Sequence, residues 1–113
     1  MKKTIGISVN VGDPVLLIAF NRPDHFARLI DRLRETKPAR IYVAVDGPRV
    51  GSSTDSTAVS ATRKLVGSIE WTTDVYTLFQ QSNLGCGLGV STALDWFFSN
   101  EERGIILEDD ILP

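Results

Sequence analysis

The sequence predicts an α/β protein, a four-stranded and mostly parallel sheet sandwiched between helices in a three-layer α/β/α arrangement. Three observations carry this. Four short apolar runs have the length of buried strands, at 15–20, 40–47, 74–80 and 105–107. The stretches between them place apolar residues at helical spacing. Each junction is marked by Pro, Gly, Asn, Asp or Ser. Strands alternating with helices of this length demand parallel pairing through right-handed crossovers, in the order βαβαβαβ.

The elements follow in turn. Pro14 precedes "VLLIAF" (15–20), a continuous apolar run and the first strand. "NRPD" interrupts it, and Pro23 suits the first turn of a helix. Phe26, Leu29, Ile30 and Leu33 then recur at i, i+3, i+4 and i+7, with Arg28, Asp31, Arg32 and Arg34 on the opposite face. Lys37-Pro38 ends that helix. "RIYVAVDG" (40–47) is the second strand, closed by Asp46-Gly47-Pro48. After the Ser/Gly-rich loop, Asp55 or Ser56 is the expected cap of a helix bearing Ala58, Thr62, Leu65, Val66 and Ile69 on one face. "DVYTLFQ" (74–80) is β-branched and aromatic, as a third strand should be. The glycine-dense "QSNLGCGLG" opens a helix striped by Val90, Leu94, Phe97 and Phe98, which Gly104 ends, and "IIL" (105–107) is the fourth strand.

Composition bounds the function. The 113 residues make one domain, 1–113, large enough to bury roughly two-thirds of its unfolded surface. A net charge of −2 gives no reason to expect nucleic acid or an anionic membrane as partner. The longest apolar stretch, Val15 to Phe20, is too short to span a bilayer, and Met1-Lys2-Lys3 leads into no signal-like hydrophobic region. A single cysteine, Cys86, forms no internal disulfide, so a reducing, cytoplasmic location is expected. A single histidine, His25, sets aside a His-rich zinc site.

In a parallel sheet every strand finishes on the same edge, where open α/β sheets bind ligands. Asn21-Arg22, Asp46-Gly47, Gln81 to Gly85 and Glu108-Asp109-Asp110 therefore fall together. The last group is the most informative. Two unit charges about 4 Å apart repel by about 1 kcal/mol in water and about 4 at an effective dielectric near 20. Adjacent carboxylates at a strand end in a cleft call for a cation, and all-oxygen ligation suits Mg²⁺ or Mn²⁺. Mg²⁺ uses one or two carboxylates and takes its other ligands from water and phosphates. Each residue also has a plainer reading: Asp46 before Gly-Pro is a common turn former, Arg22 a first-turn surface residue, and Asn83 a left-handed turn residue. Cys86 reads as a small packing residue, and Trp96, Phe97 and Phe98 as core and edge packing.

"IILEDDILP" resembles the DxD-type motif of glycosyltransferase-A-fold nucleotide-diphospho-sugar transferases, in the EDD form of the N-acetylglucosaminyltransferase I-like enzymes. "PVLLIAFNRPDHFARLIDRL", "IYVAVDGPR" and "SNLGCGLGVSTALDWFF" are similar to that family's preceding segments, in the same order. The resemblance implies a metal-dependent glycosyltransferase that binds a nucleotide diphosphate sugar and transfers the sugar to an acceptor hydroxyl. By it, Asp110 and Asp109 hold Mn²⁺ or Mg²⁺, and Asn21, Arg22, Asp46, Asn83, Gly85, Glu108 and Asp109 meet the nucleotide. It also implies that the chain is an amino-terminal half, with acceptor binding and the general base beyond Pro113. The fourth strand's outer edge would then be open, and the expectation is a homodimer through that edge, a truncated chain or poor solubility.

Other readings remain. "GCGLG" (85–89) follows a strand and opens a helix, as a dinucleotide-binding turn would, but Val90 stands where the third fingerprint glycine belongs. A sugar-nucleotide pyrophosphorylase would carry a basic glycine-rich loop after the first strand, which "NRPDHF" does not supply. A non-catalytic interaction module derived from a transferase is the third alternative.

Overall fold

The computed structural model describes residues 12–109, and the expected α/β/α architecture is present. Its elements are β1 (Val15–Ala19), α1 (Pro23–Thr36), β2 (Ile41–Val45), α2 (Ser53–Lys64), β3 (Val75–Phe79), α3 (Cys86–Phe98) and β4 (Ile105–Glu108), with a short 3-10 turn at Leu65–Ser68. The sheet is parallel throughout, in the order β3-β2-β1-β4. Val15 pairs with Ile41 on one side and with Ile105 on the other, so β1 lies at the centre.

The continuous apolar runs of β1 and β2 follow from burial on both faces. Val15, Leu17 and Ala19 of β1, with Ile41, Val43 and Val45 of β2, pack beneath α1 and α2. Leu16, Tyr42 and Ala44 point the other way, against Ala93 and Phe97 of α3. Alternation with a period of two thus feeds two cores at once. Helix α1 buries the predicted stripe of Phe26, Leu29, Ile30 and Leu33, each contributing about 1.5–3 kcal/mol by its removal from water. It stops because Lys37 turns left-handed (φ 50°) and donates its N–H to the Leu33 carbonyl, with Pro38 following. Gly104 enters β4 tightly: a Cβ there would lie 2.3 Å from Phe97 Cζ and 2.8 Å from the Pro14 carbonyl oxygen.

Three local expectations are corrected. The cap of α2 is Ser52, whose hydroxyl accepts the Asp55 N–H at 3.1 Å, whereas Asp55 lies inside the first turn with its side chain buried elsewhere. The regular helix also ends at Lys64, so Leu65 and Val66 pack from the 3-10 turn and Ile69 from beyond it. On α3 the fully buried positions are Ala93 and Phe97; Leu94 is half-buried and Phe98 is 47% exposed. Among the described residues one helix covers this face of the sheet, so the apolar surface of α3 is only partly enclosed by them. Among the described residues, no helix is long and apolar enough to cross a membrane.

Candidate functional site

Chain direction changes at β1. Through α1 and α2 the chain moves outward from β1 to β2 to β3, then returns through α3 on the opposite face to place β4 on the other flank of β1. Loops diverge at such a switch point and leave a crevice beyond the strand ends. A cleft of about 480 Å³ occupies that position. Its floor is apolar, from Ile18, Ala19, Ala44, Val45 and Leu78, and its rim is polar.

The described site residues come together here. Asn21 and Arg22 after β1, Asp46 after β2, Asn83 and Gly85 before α3, and Glu108 and Asp109 at the end of β4 all line the cleft. Asp110, the first of the expected metal ligands, lies outside the described residues. Among the described residues, no group of three or more His, Cys, Asp or Glu side chains is arranged to hold a metal ion. The described half of the expected metal pair, Asp109, is buried, at 7% exposure.

Asp46 has a definite task within the protein. Its Oδ1 accepts the N–H groups of Gly47 (2.8 Å) and Leu84 (2.9 Å). Its Oδ2 accepts the Gly85 N–H (3.1 Å) and Asn83 Nδ2 (3.2 Å). A carboxylate has about four acceptor positions, and all are engaged by protein donors. Asp46 therefore clamps the turn that leads into α3, and Asn83 closes the clamp by also donating to the Gly47 carbonyl at 3.0 Å. Glycines permit the close approach. A Cβ on Gly47 would meet the Ser82 backbone at 2.6 Å, and one on Gly89 would sit 3.2 Å from Asp46 Oδ2. Gly85 caps α3 with φ 89°, a left-handed conformation that costs glycine little.

A second cluster was not foreseen. Asp55 is 2% exposed, and its carboxylate receives Arg49 Nε at 2.6 Å, Arg49 Nη2 at 2.9 Å, the Arg49 backbone N–H at 3.0 Å and Asn21 Nδ2 at 3.0 Å. The Arg49 side-chain hydrogen bonds, followed by the Arg49 backbone N–H, hold this carboxyl well below the usual carboxylate range against the opposing effect of burial. Arg49 lines the cleft and lies over the Phe20 ring, its Cζ 5.8 Å from the centroid. Asn21, a candidate ligand residue, is thus tethered to the α2 side. The available signal was the pair of charged residues embedded in "RVGSSTD". Cys86 also departs from expectation: it is exposed at the first turn of α3 and lines the cleft.

The cleft carries more negative than positive charge among its described residues. Asp46, Glu108 and Asp109 stand against Arg22 and Arg49, and Arg49 is already paired with Asp55. The glycine-rich turn follows β3, an edge strand, whereas a dinucleotide fingerprint belongs after the first strand of its fold. Compared with protein-family models, with curated proteins and with solved structures, the chain gives no significant match.

Proposed function

We propose that the chain is the donor-binding part of a metal-dependent glycosyltransferase, taking a nucleotide diphosphate sugar in the cleft at the ends of the four strands. The observation that carries this reading is convergence. Seven residues chosen from four separate sequence segments line one crevice at the switch point of a parallel sheet.

The donor set fits a hard divalent cation. Glu108 and Asp109 line the cleft, and Mg²⁺ or Mn²⁺ needs only one or two carboxylate ligands besides water and phosphate. Asp109 and Asp110 would hold the ion, which stabilises charge developing on a diphosphate leaving group. Arg22, exposed and without an ion-pair partner among the described residues, is suited to phosphate oxygens. The overall reaction would be sugar transfer to an acceptor hydroxyl, with acceptor binding completed outside the described residues. Among those residues β4 is paired on one side only, so a second copy would join through its outer edge.

Calorimetric titration with UDP, GDP and CDP tests the reading. Binding of one of them is expected with Mn²⁺ present, and Asp110→Ala is expected to abolish the dependence on metal. Metal-dependent affinity that survives in Asp110→Ala would rule out that ligand assignment. Binding of NAD without metal, with none of the nucleoside diphosphates, would overturn the function.

A further inference from the structure

We infer that Arg49, fixed by Asp55 and backed by Phe20, is the platform on which the base of the nucleoside diphosphate stacks. The inference rests on the donor-binding reading above and names a residue that sets its specificity. The geometry is unusual for a surface ion pair. Asp55 is 2% exposed and engages Arg49 through both Nε and Nη2, yet the Arg49 side chain remains 61% exposed and lines the cleft. A bidentate pair of this kind fixes the plane of the guanidinium as well as its position. Phe20 lies against it, and Nη1 has no hydrogen-bond partner among the described residues. What remains open is a flat, immobilised cationic surface with donors at its edge. That surface matches a planar heterocycle carrying ring carbonyls or ring nitrogens.

Charge and position favour a base over a phosphate at this point. Asp55 already neutralises Arg49, whereas Arg22 has no ion-pair partner among the described residues. Arg49 follows β2, and the acidic residues Glu108 and Asp109 end β4, two strands away across β1. At the usual interstrand spacing the ends of β2 and β4 are about 10 Å apart, and the Arg49 guanidinium reaches over Phe20, just past the intervening β1. A nucleotide lying across the switch point would therefore place its base over Arg49 and its diphosphate toward β4. Asp46, directly after β2, is occupied with the turn before α3.

The test is calorimetry on the whole chain with two probes, the preferred nucleoside diphosphate with Mn²⁺ and inorganic pyrophosphate with Mn²⁺. Arg49→Lys retains a cation for Asp55 but loses the planar fork. It is expected to weaken the nucleotide about tenfold while changing pyrophosphate less than about twofold. Phe20→Leu, which leaves the Arg49–Asp55 pair in place, should weaken the nucleotide in the same selective way. Full nucleotide affinity in Arg49→Lys overturns the inference and leaves the donor-binding reading standing. A parallel loss of pyrophosphate overturns it in favour of a phosphate contact or a general structural role. Absence of nucleotide binding by the unaltered protein overturns both.

Discussion

Replacing Asp46 by alanine should destabilise the fold as well as the site. The variant strands four donors: the N–H groups of Gly47, Leu84 and Gly85, and the Asn83 side-chain amide. Hydrogen bonds to a charged acceptor contribute about 1.5–3 kcal/mol each, but they do not add when several share one acceptor. Asn83, Leu84 and Gly85 are only half-buried, so water recovers part of the loss. A net cost of about 2–4 kcal/mol follows. With a urea slope of about 1.5 kcal/mol/M, the unfolding midpoint should fall by about 1.3–2.7 M. Trp71 and Trp96 provide the fluorescence signal. Asp46→Asn keeps one acceptor oxygen and turns an amide group toward two of the donors, so its midpoint should lie between those of the parent and the alanine variant. Amide exchange adds the local readout, since Leu84 and Gly85 should lose protection before the sheet does. An Asp46→Ala protein within about 0.5 kcal/mol of the parent, with those two amides still protected, would refute the clamp.

Asp55 gives a prediction in pH. Its folded pKa is depressed, so its stabilising contribution is present above the unfolded value near 3.9 and is lost as pH falls toward the folded value. Asp55→Asn should therefore be less stable than the parent at pH 7, with the gap narrowing below about pH 4 in parallel denaturation series. A gap that stays constant down to pH 2 would contradict the ion-pair account. Among the described residues β4 is paired on one side only, which predicts a concentration-dependent dimer in sedimentation experiments. The Ile105 N–H already donates to the Pro14 carbonyl, so the next N–H along the strand faces outward. Ile106→Pro removes that outward donor and should leave the protein monomeric. A parent that is monomeric at every concentration rules out association through this edge.

The sequence revealed what depends on side-chain identity repeated at a fixed period. The runs at 15–20 and 41–45 are apolar at successive positions because both faces of the central strands are covered, and that pattern alone implies helices on either side. The stripe of α1 was equally legible, since its four buried positions match helical spacing and its flanks are charged. The stripe of α3 was not, because among the described residues a single helix lies over one face of the sheet, leaving Phe98 exposed while the small Ala93 is buried. The clamp at Asp46 was hidden for a different reason. Three of its four donors are backbone N–H groups, and two of those, on Leu84 and Gly85, lie far along the chain. A backbone donor leaves no mark on residue type, so the sequence offered both a turn-forming and a ligand-facing Asp46, and only the fold reveals how the turn is held. The Arg49–Asp55 pair was concealed by its setting, a loop residue reaching into the first turn of the next helix, where neither helical nor strand periodicity applies.

These two hidden networks make the cleft uneven. Toward β2, the Arg49–Asp55 pair, Asn21 and the Asp46 clamp fix both the walls and the mouth before any ligand arrives. Toward β4, Glu108 and Asp109 line the cleft, and on the proposed function a cation would have to be recruited there. Binding costs less where groups are already ordered, and more where a cation must be recruited first. On the proposed function, the nucleoside end should therefore bind weakly without metal, whereas the diphosphate end contributes only when metal is present. The metal would then act as a gate on the leaving group, with base recognition built into the fold independently of it.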